Sequence, residues 1–213
     1  MAATSHTSLT HARRAEPQPP MGLRERKKLK TRIAIRRATY GLIAEQGYEA
    51  TTIEQIAEAA EVSPSTVFRY FPTKEDIVLT DEYDPVMASV LRSRPAGEAP
   101  LESIRAVLDE TTRTVLASEY DELVQRTKLM VEVPAVRARM TETMSTTAKL
   151  LTEVLAERTG RDADDIETRI FVAAVLGALR EITLYWGERG GSRDDLLALT
   201  HRALDSLAAG LRL

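Results

Sequence analysis

Ser65, Thr66 and Arg69 lie in one short stretch, TTIEQIAEAAEVSPSTVFRYFPTKED, residues 51–76. Thr52 and Ser63 precede them, and Tyr70 and Lys74 follow. Hydroxyls, a guanidinium and an ammonium at this density suit a polyanion whose surface also carries edges to be read. Thr52 and Ser63 stand where helices start, so each offers a hydroxyl beside helix N-terminal N–H groups, donors that phosphate oxygens accept from. Arg69 is the member of the set able to grip a guanine through two hydrogen bonds. A phosphate contact or a surface salt bridge fits Arg69 about as well. Tyr70 can turn its hydroxyl to a phosphate while its ring packs, and Phe71 reads as core.

Two helices must position these groups. Residues 53–60 form the first, with Ile53, Ile56, Ala57 and Ala60 at helical spacing and hence one apolar face. Thr52 is its N-cap, and Gln55 three residues later completes a capping box. Glu61, Val62 and Ser63 make a tight turn. Ser63 then caps a second helix, with Pro64 at the first helical position, where a missing N–H costs nothing. Val67 and Tyr70 or Phe71 face inward onto Ile56 and Ala60, Val62 fills the corner, and Ser65, Thr66 and Arg69 point away. This pattern describes a helix-turn-helix, whose second helix enters a DNA major groove. Pro72 ends that helix, and Thr73 caps another beginning at Lys74.

The stretch resembles the DNA-binding motif of the TetR family of bacterial transcriptional repressors. Ile35, Ala38, Gly47, Tyr48, Thr52, Ile56, Ala57, Val62, Ser63, Thr66, Tyr70, Phe71 and Lys74 stand in the family's order and spacing, and the likeness runs over residues 29–78. One position departs from it. The family usually has Gly where this chain has Glu61, and a left-handed backbone there costs a glutamate roughly 1 kcal/mol. The resemblance implies that Lys74 contacts phosphate, that the last two helices pair with a second copy as a four-helix bundle, and that the body senses a small molecule. RYFPTKEDIVL and VPAVRARM are similar to an actinobacterial branch that includes regulators answering acyl-CoA-like ligands.

The net charge of −3 hides an asymmetry. Ten basic residues face two acidic ones through residue 37, which leaves that segment at +8 and the remainder at −11. Directly before a helix-turn-helix, the cluster Arg24, Arg26, Lys27, Lys28 and Lys30 fits phosphate neutralisation better than a merely solvated face. The chain has no Cys, as a reducing cytoplasm permits. The longest apolar run, residues 170–179 between Arg169 and Arg180, is too short for a bilayer, and the start carries no apolar signal segment. A cytoplasmic protein with no membrane contact is expected.

Catalysis has few candidates. His6 and His11 lie in the leading tail and His201 stands alone, with no HExxH motif, no Cys cluster and no phosphate loop after a strand. Gly187 to Gly191 reads as a connector. No enzyme activity, metal or cofactor is expected.

Along the chain, residues 1–22 are rich in Thr, Ser, Ala and Pro and read as a disordered tail. Residues 24–46 form the first helix, with Ile35, Ala38, Leu42 and Ile43 as its buried stripe and Gly47 closing it. Residues 73–93 read as one helix kinked at Asp84-Pro85. A loop at 94–100 precedes helices near 101–116, 119–132, 134–159, 162–189 and 194–211, the fourth of these capped by Asp162. Its centre, IFVAAVLGAL, is apolar all round, as in a helix buried on every side. Leu176, Leu179, Leu204 and Leu207 are the candidate dimer contacts. Met130, Met140, Met144, Phe171, Tyr185 and Trp186 are the candidate ligand contacts, though each is more often plain core. Arg126 either meets an anionic head group or pairs with a neighbouring carboxylate.

The expected fold is all-α. A three-helix DNA-binding head, residues 23–79, joins a six-helix ligand-sensing and dimerisation body, residues 80–213. The expected function is that of a homodimeric repressor on a palindromic double-stranded DNA operator, released by a small hydrophobic or acyl-type ligand. The alternative is a regulator with no small ligand, constitutive or controlled by a protein partner.

Overall fold

The computed structural model describes residues 22–80 and 83–211, with the backbone alone for 83–85. The tail at residues 1–21 lies outside the described residues. Among the described residues every regular element is an α-helix.

The head is built from α1 (Leu23–Gln46), α2 (Ile53–Ala59) and α3 (Pro64–Tyr70) around Ile35, Ile56, Ala57, Val67, Phe71 and Ile77. Its punctuation follows the chain closely. Thr52 caps α2, with the reciprocal bond from its own N–H to Gln55. Gln46 donates to Gln55 Oε1 at 2.9 Å and so ties the end of α1 to the start of α2. Past the end of α2, Glu61 takes φ 55°. Glu61 N–H donates to Glu58 O at 3.0 Å and Val62 N–H to Ala57 O at 2.9 Å. This paired arrangement is the Schellman turn, which places a left-handed residue where the helix stops.

The expected kinked helix over 73–93 is instead two helices, α4 (Lys74–Leu79) and α5 (Tyr83–Ser93), broken at the extended Thr80. Pro85 falls in the first turn of α5, where its missing N–H has no intrahelical partner to lose, so it helps start a helix and kinks none. Residues 81–82 are outside the described residues.

The body comprises α5, α6 (Pro100–Ser118), α7 (Tyr120–Glu132), α8 (Pro134–Thr159), α9 (Ile166–Glu188) and α10 (Arg193–Ala208). Its core gathers Leu91, Ile104, Val107, Leu151, Val154, Leu155, Val172, Val175, Leu176 and Leu204. Asp162 does not cap α9. It accepts the N–H of Asp164 in the preceding loop at 2.8 Å, while Asp165 caps the helix by accepting from Thr168 N–H at 3.1 Å.

One expectation about α9 fails. At 23 residues, with an 18-residue window of mean hydropathy 1.4, it passes by length and composition for a membrane-crossing helix, a test that the core helix of a soluble protein passes as well. It is not buried on every side. One face packs on α7, α8 and α10, while Ile166, Ile170, Ala173, Ala174, Gly177 and Tyr185 form an exposed apolar stripe.

A third apolar cluster joins head to body. Tyr40, Tyr48, Val78 and Leu79 pack with Leu129, Met130, Val136 and Met140. The head therefore shares part of its core with α7 and α8.

Candidate nucleic-acid interface

The start of α3 concentrates hydroxyls. Ser63 Oγ accepts Thr66 N–H at 3.2 Å and lies 2.9 Å from both Ser65 Oγ and Thr66 Oγ1. Val67 beneath them is fully buried and Phe71 nearly so, which fixes the opposite face of α3 outward. That face presents Ser65, Phe68 and Arg69, all exposed. Arg69 keeps its guanidinium 5.3 Å from the Tyr70 ring centroid, a weak cation–π contact that leaves its N–H fork available. Thr52 Oγ1 accepts Gln55 N–H at 3.3 Å, and this use of a lone pair leaves the hydroxyl proton to donate outward.

Lys74 has a second task that the sequence did not reveal. Its ammonium donates to Tyr48 O at 2.7 Å and Thr51 O at 3.0 Å, and lies 4.0 Å from the Tyr48 ring centroid. It thus pins the segment before α2 to the start of α4, with one N–H to spare for an external oxygen. Tyr48 Oη donates to Glu75 Oε1 at 2.5 Å. Burial, aided by that bond and by the Glu75 charge, pushes the Tyr48 hydroxyl far above its ordinary range. Burial also works to raise the Glu75 carboxyl, but the bond from Tyr48, with others from the Glu75 backbone and Thr73 and the charge of Lys74, outweighs it and holds the carboxyl low.

The basic cluster opens α1. Arg24, Arg26, Lys27, Lys28 and Lys30 are exposed, and Lys28 pairs with Glu25 at 2.9 Å. Arg36 belongs elsewhere. It is buried at the junction, its Nε 2.5 Å from Glu122 Oε1 and its Nη2 3.9 Å from Glu119 Oε2. The Nε–H points off the line to the carboxylate, so the contact is a charge pair more than an aligned hydrogen bond. Burial raises the Glu122 carboxyl, and Arg36 offsets part of that rise. A second pair crosses the junction, from Arg139 Nε on α8 to Asp76 Oδ1 on α4 at 2.7 Å. Tyr40 completes the seam by donating its hydroxyl to Val78 O at 2.9 Å.

This head matches a known one. Residues 35–80 fit the family model described as bacterial regulatory proteins, tetR family, and residues 98–212 fit the MftR C-terminal domain. The chain belongs to the TetR family of bacterial transcriptional regulators. It is similar to the HTH-type transcriptional regulator TcmR of Streptomyces glaucescens, at 36% identity over 207 residues covering 93% of this chain and 91% of that one. It is also similar to the HTH-type transcriptional repressor KstR of Rhodococcus jostii, at 30% identity over 147 residues, 65% of this chain and 64% of that protein. Among solved structures, the fatty acid degradation regulator FadR from Bacillus halodurans superposes with a TM-score of 0.58 at 26% identity, over 85% of this chain and 96% of that one. This TetR-family chain is a regulator and not an enzyme.

The body's candidate residues scatter. Met130 and Met140 lie in the junction core, Met144 reaches both the junction and body cores, and Phe171 packs at the edge of the body core. Tyr185 is exposed and stacks under the Arg189 guanidinium, 3.4 Å from its ring centroid. Trp186 is buried, donating its Nε1–H to Ser192 O at 2.6 Å. Arg126 is buried one helical turn from Glu122 and within its electrostatic reach, which favours pairing with a carboxylate over the alternative, an anionic head group.

The four leucines also divide. Leu176 and Leu204 are buried inside their own subunit, so they are body core and cannot form a surface. Leu179 and Leu207 are half-buried at its edge. Helical spacing gives the faces of a helix but not which face meets its own chain. A groove of about 350 Å³ between α9 and α10 is lined by Ala178, Ile182, Tyr185, Leu199, Ala203 and Leu207, among others.

Proposed function

We propose that this TetR-family chain is a cytoplasmic repressor that binds a palindromic operator as a homodimer and is released by a small hydrophobic or acyl-type ligand. The observation that carries this reading is the core shared by head and body. Val78 and Leu79 of α4 pack on Met130 and Met140 of α7 and α8. Methionine is unbranched and adaptable, so a flexible apolar ligand can displace these side chains at modest cost. A ligand that wedges α7 from α8 moves the surface on which α4 rests, and α4 carries the head. It shifts the population only by as much as it favours the displaced state. The likeness to the fatty acid degradation regulator FadR supports an acyl-type ligand.

Residues 23–79 serve as the DNA-binding domain and residues 80–213 as the ligand and dimer domain. Ser65, Thr66 and Arg69 face bases. Thr52, Ser63, Tyr70, Lys74, Arg24, Lys27 and Lys28 hold phosphates. The exposed stripe of α9, with the groove beside α10, is the dimer surface, since it leaves a row of apolar side chains in water that a second copy would cover.

The test combines three measurements on the full chain. Sedimentation should show dimers at micromolar concentration. Selection from random duplexes should yield a two-fold symmetric site. Titration of the complex with palmitoyl-CoA, palmitate and free CoA should release DNA with an acyl species and raise the thermal midpoint. A monomer overturns the dimer. An operator complex indifferent to all three probes overturns the acyl reading and favours a constitutive or partner-controlled regulator.

A further inference from the structure

Phe68 is a large apolar side chain standing in water, with 51% of its surface exposed. Its neighbours Val67 and Phe71 fill the head core, and Phe68 adds nothing to that cluster. It sits on the outward face of α3, three residues after Ser65 and beside Arg69, both exposed. A phenyl ring neither donates nor accepts a conventional hydrogen bond, so it cannot hold a phosphate or read a polar base edge. The major groove offers one feature that suits it, the C5-methyl group of thymine.

We infer that Phe68 is a specificity-determining residue that packs on the C5-methyl of a thymine in each half-site, next to the base pair reached by Arg69. This rests on reading α3 as the recognition helix. The hydroxyls of Ser63, Ser65 and Thr66 at one end of the helix and Arg69 beside Phe68 hold the face against a polyanion. The ring then loses water where the groove is apolar. The contact discriminates thymine from cytosine by a methyl group and not by a hydrogen bond, which Arg69 cannot do.

The experiment uses uracil, which deletes the methyl and keeps every hydrogen-bonding edge of thymine. An operator is first selected from random duplexes with the full chain, and each thymine of a half-site is then replaced singly by uracil. At one position the native protein should bind uracil DNA about fourfold more weakly, the worth of one buried methyl-sized group. Phe68→Ala, exposed and outside the core, should keep its thermal midpoint and bind the thymine and uracil versions of that position equally. The inference is overturned if the native protein ignores every uracil, or if Phe68→Ala retains the same penalty at the same position. A selection that enriches no sequence overturns the recognition-helix reading itself, and this inference with it.

Discussion

Replacing Arg36 with methionine tests how the head is fastened to the body. Arg36 is 7% exposed, and its guanidinium lies 2.5 Å from Glu122, whose side chain is 21% exposed. Methionine keeps most of the apolar stem and deletes the charge. Removing one partner of a well-buried pair costs about 3–5 kcal/mol because the other charge is stranded. Here Glu122 has an escape. Burial already raises its carboxyl, and losing the Arg36 offset raises it further, so it can take a proton. That limits the loss to about 2–3 kcal/mol. A group whose folded pKa is raised binds more protons folded than unfolded, so its penalty is full above that pKa and fades as pH falls through it. Urea denaturation of the native chain and Arg36→Met should therefore differ most near about pH 8 and least near about pH 5. Adding Glu122→Gln to Arg36→Met should recover most of the loss at the higher pH. A pH-independent loss, or additive effects of the two substitutions, would refute the stranded-carboxylate argument.

Further outcomes follow from single contacts. Arg69→Ala should relax base preference at one operator position, at about 1–3 kcal/mol for a bidentate contact, with stability unchanged. Lys74→Met should weaken binding to all sequences alike, flatten the salt slope by about 0.9, and lower the thermal midpoint by releasing the Tyr48 and Thr51 carbonyls. Equal sequence-independent losses would reduce Arg69 to a phosphate contact. In Gly187→Ala the new Cβ falls 2.5 Å from Thr127 Cγ2, so stability should drop by about 1–3 kcal/mol and return when Thr127→Ser deletes that methyl. Leu204→Asp should abolish helical signal by destroying the body core, whereas Ala174→Arg, on the exposed stripe, should stay helical and sediment as a monomer. A dimeric Ala174→Arg places the interface elsewhere. Hydrogen bonds from Arg94 and Ser103 lower the Glu98 carboxyl from 4.5 to about 2. A depressed pKa stabilises the fold above the unfolded value and loses that effect as pH falls, so thermal stability should decline between these limits, and less steeply in Glu98→Gln.

The head was legible because its signals are local. Thr52 with Gln55, Ser63 with Pro64, and Glu61 at the turn each act within a few residues, and the caps and the left-handed glutamate stand where spacing puts them. The break at Thr80 was missed because Pro85 carries one meaning inside a helix and the opposite one at its start. Asp162 and Asp165 posed the same difficulty, as two capping residues three apart in one loop.

What the sequence withheld is which distant groups meet. Arg36 counted as one more cation in a basic head, yet it faces Glu122 across the junction, and Lys74 turns its ammonium on two backbone carbonyls. Charge alone cannot separate a cation that serves DNA from one that serves the fold, because both need an anionic partner and only the fold decides which partner is near. Leu176 and Leu204 fail for the apolar version of this reason. A helix that is apolar on most sides satisfies its own core and a partner with the same residue types. A face left for a partner is recognisable only once the chain has used the other, and the face of α9 that stays in water carries Ile166, Ile170, Ala173, Ala174 and Gly177, with none of the leucines that hydrophobicity would choose.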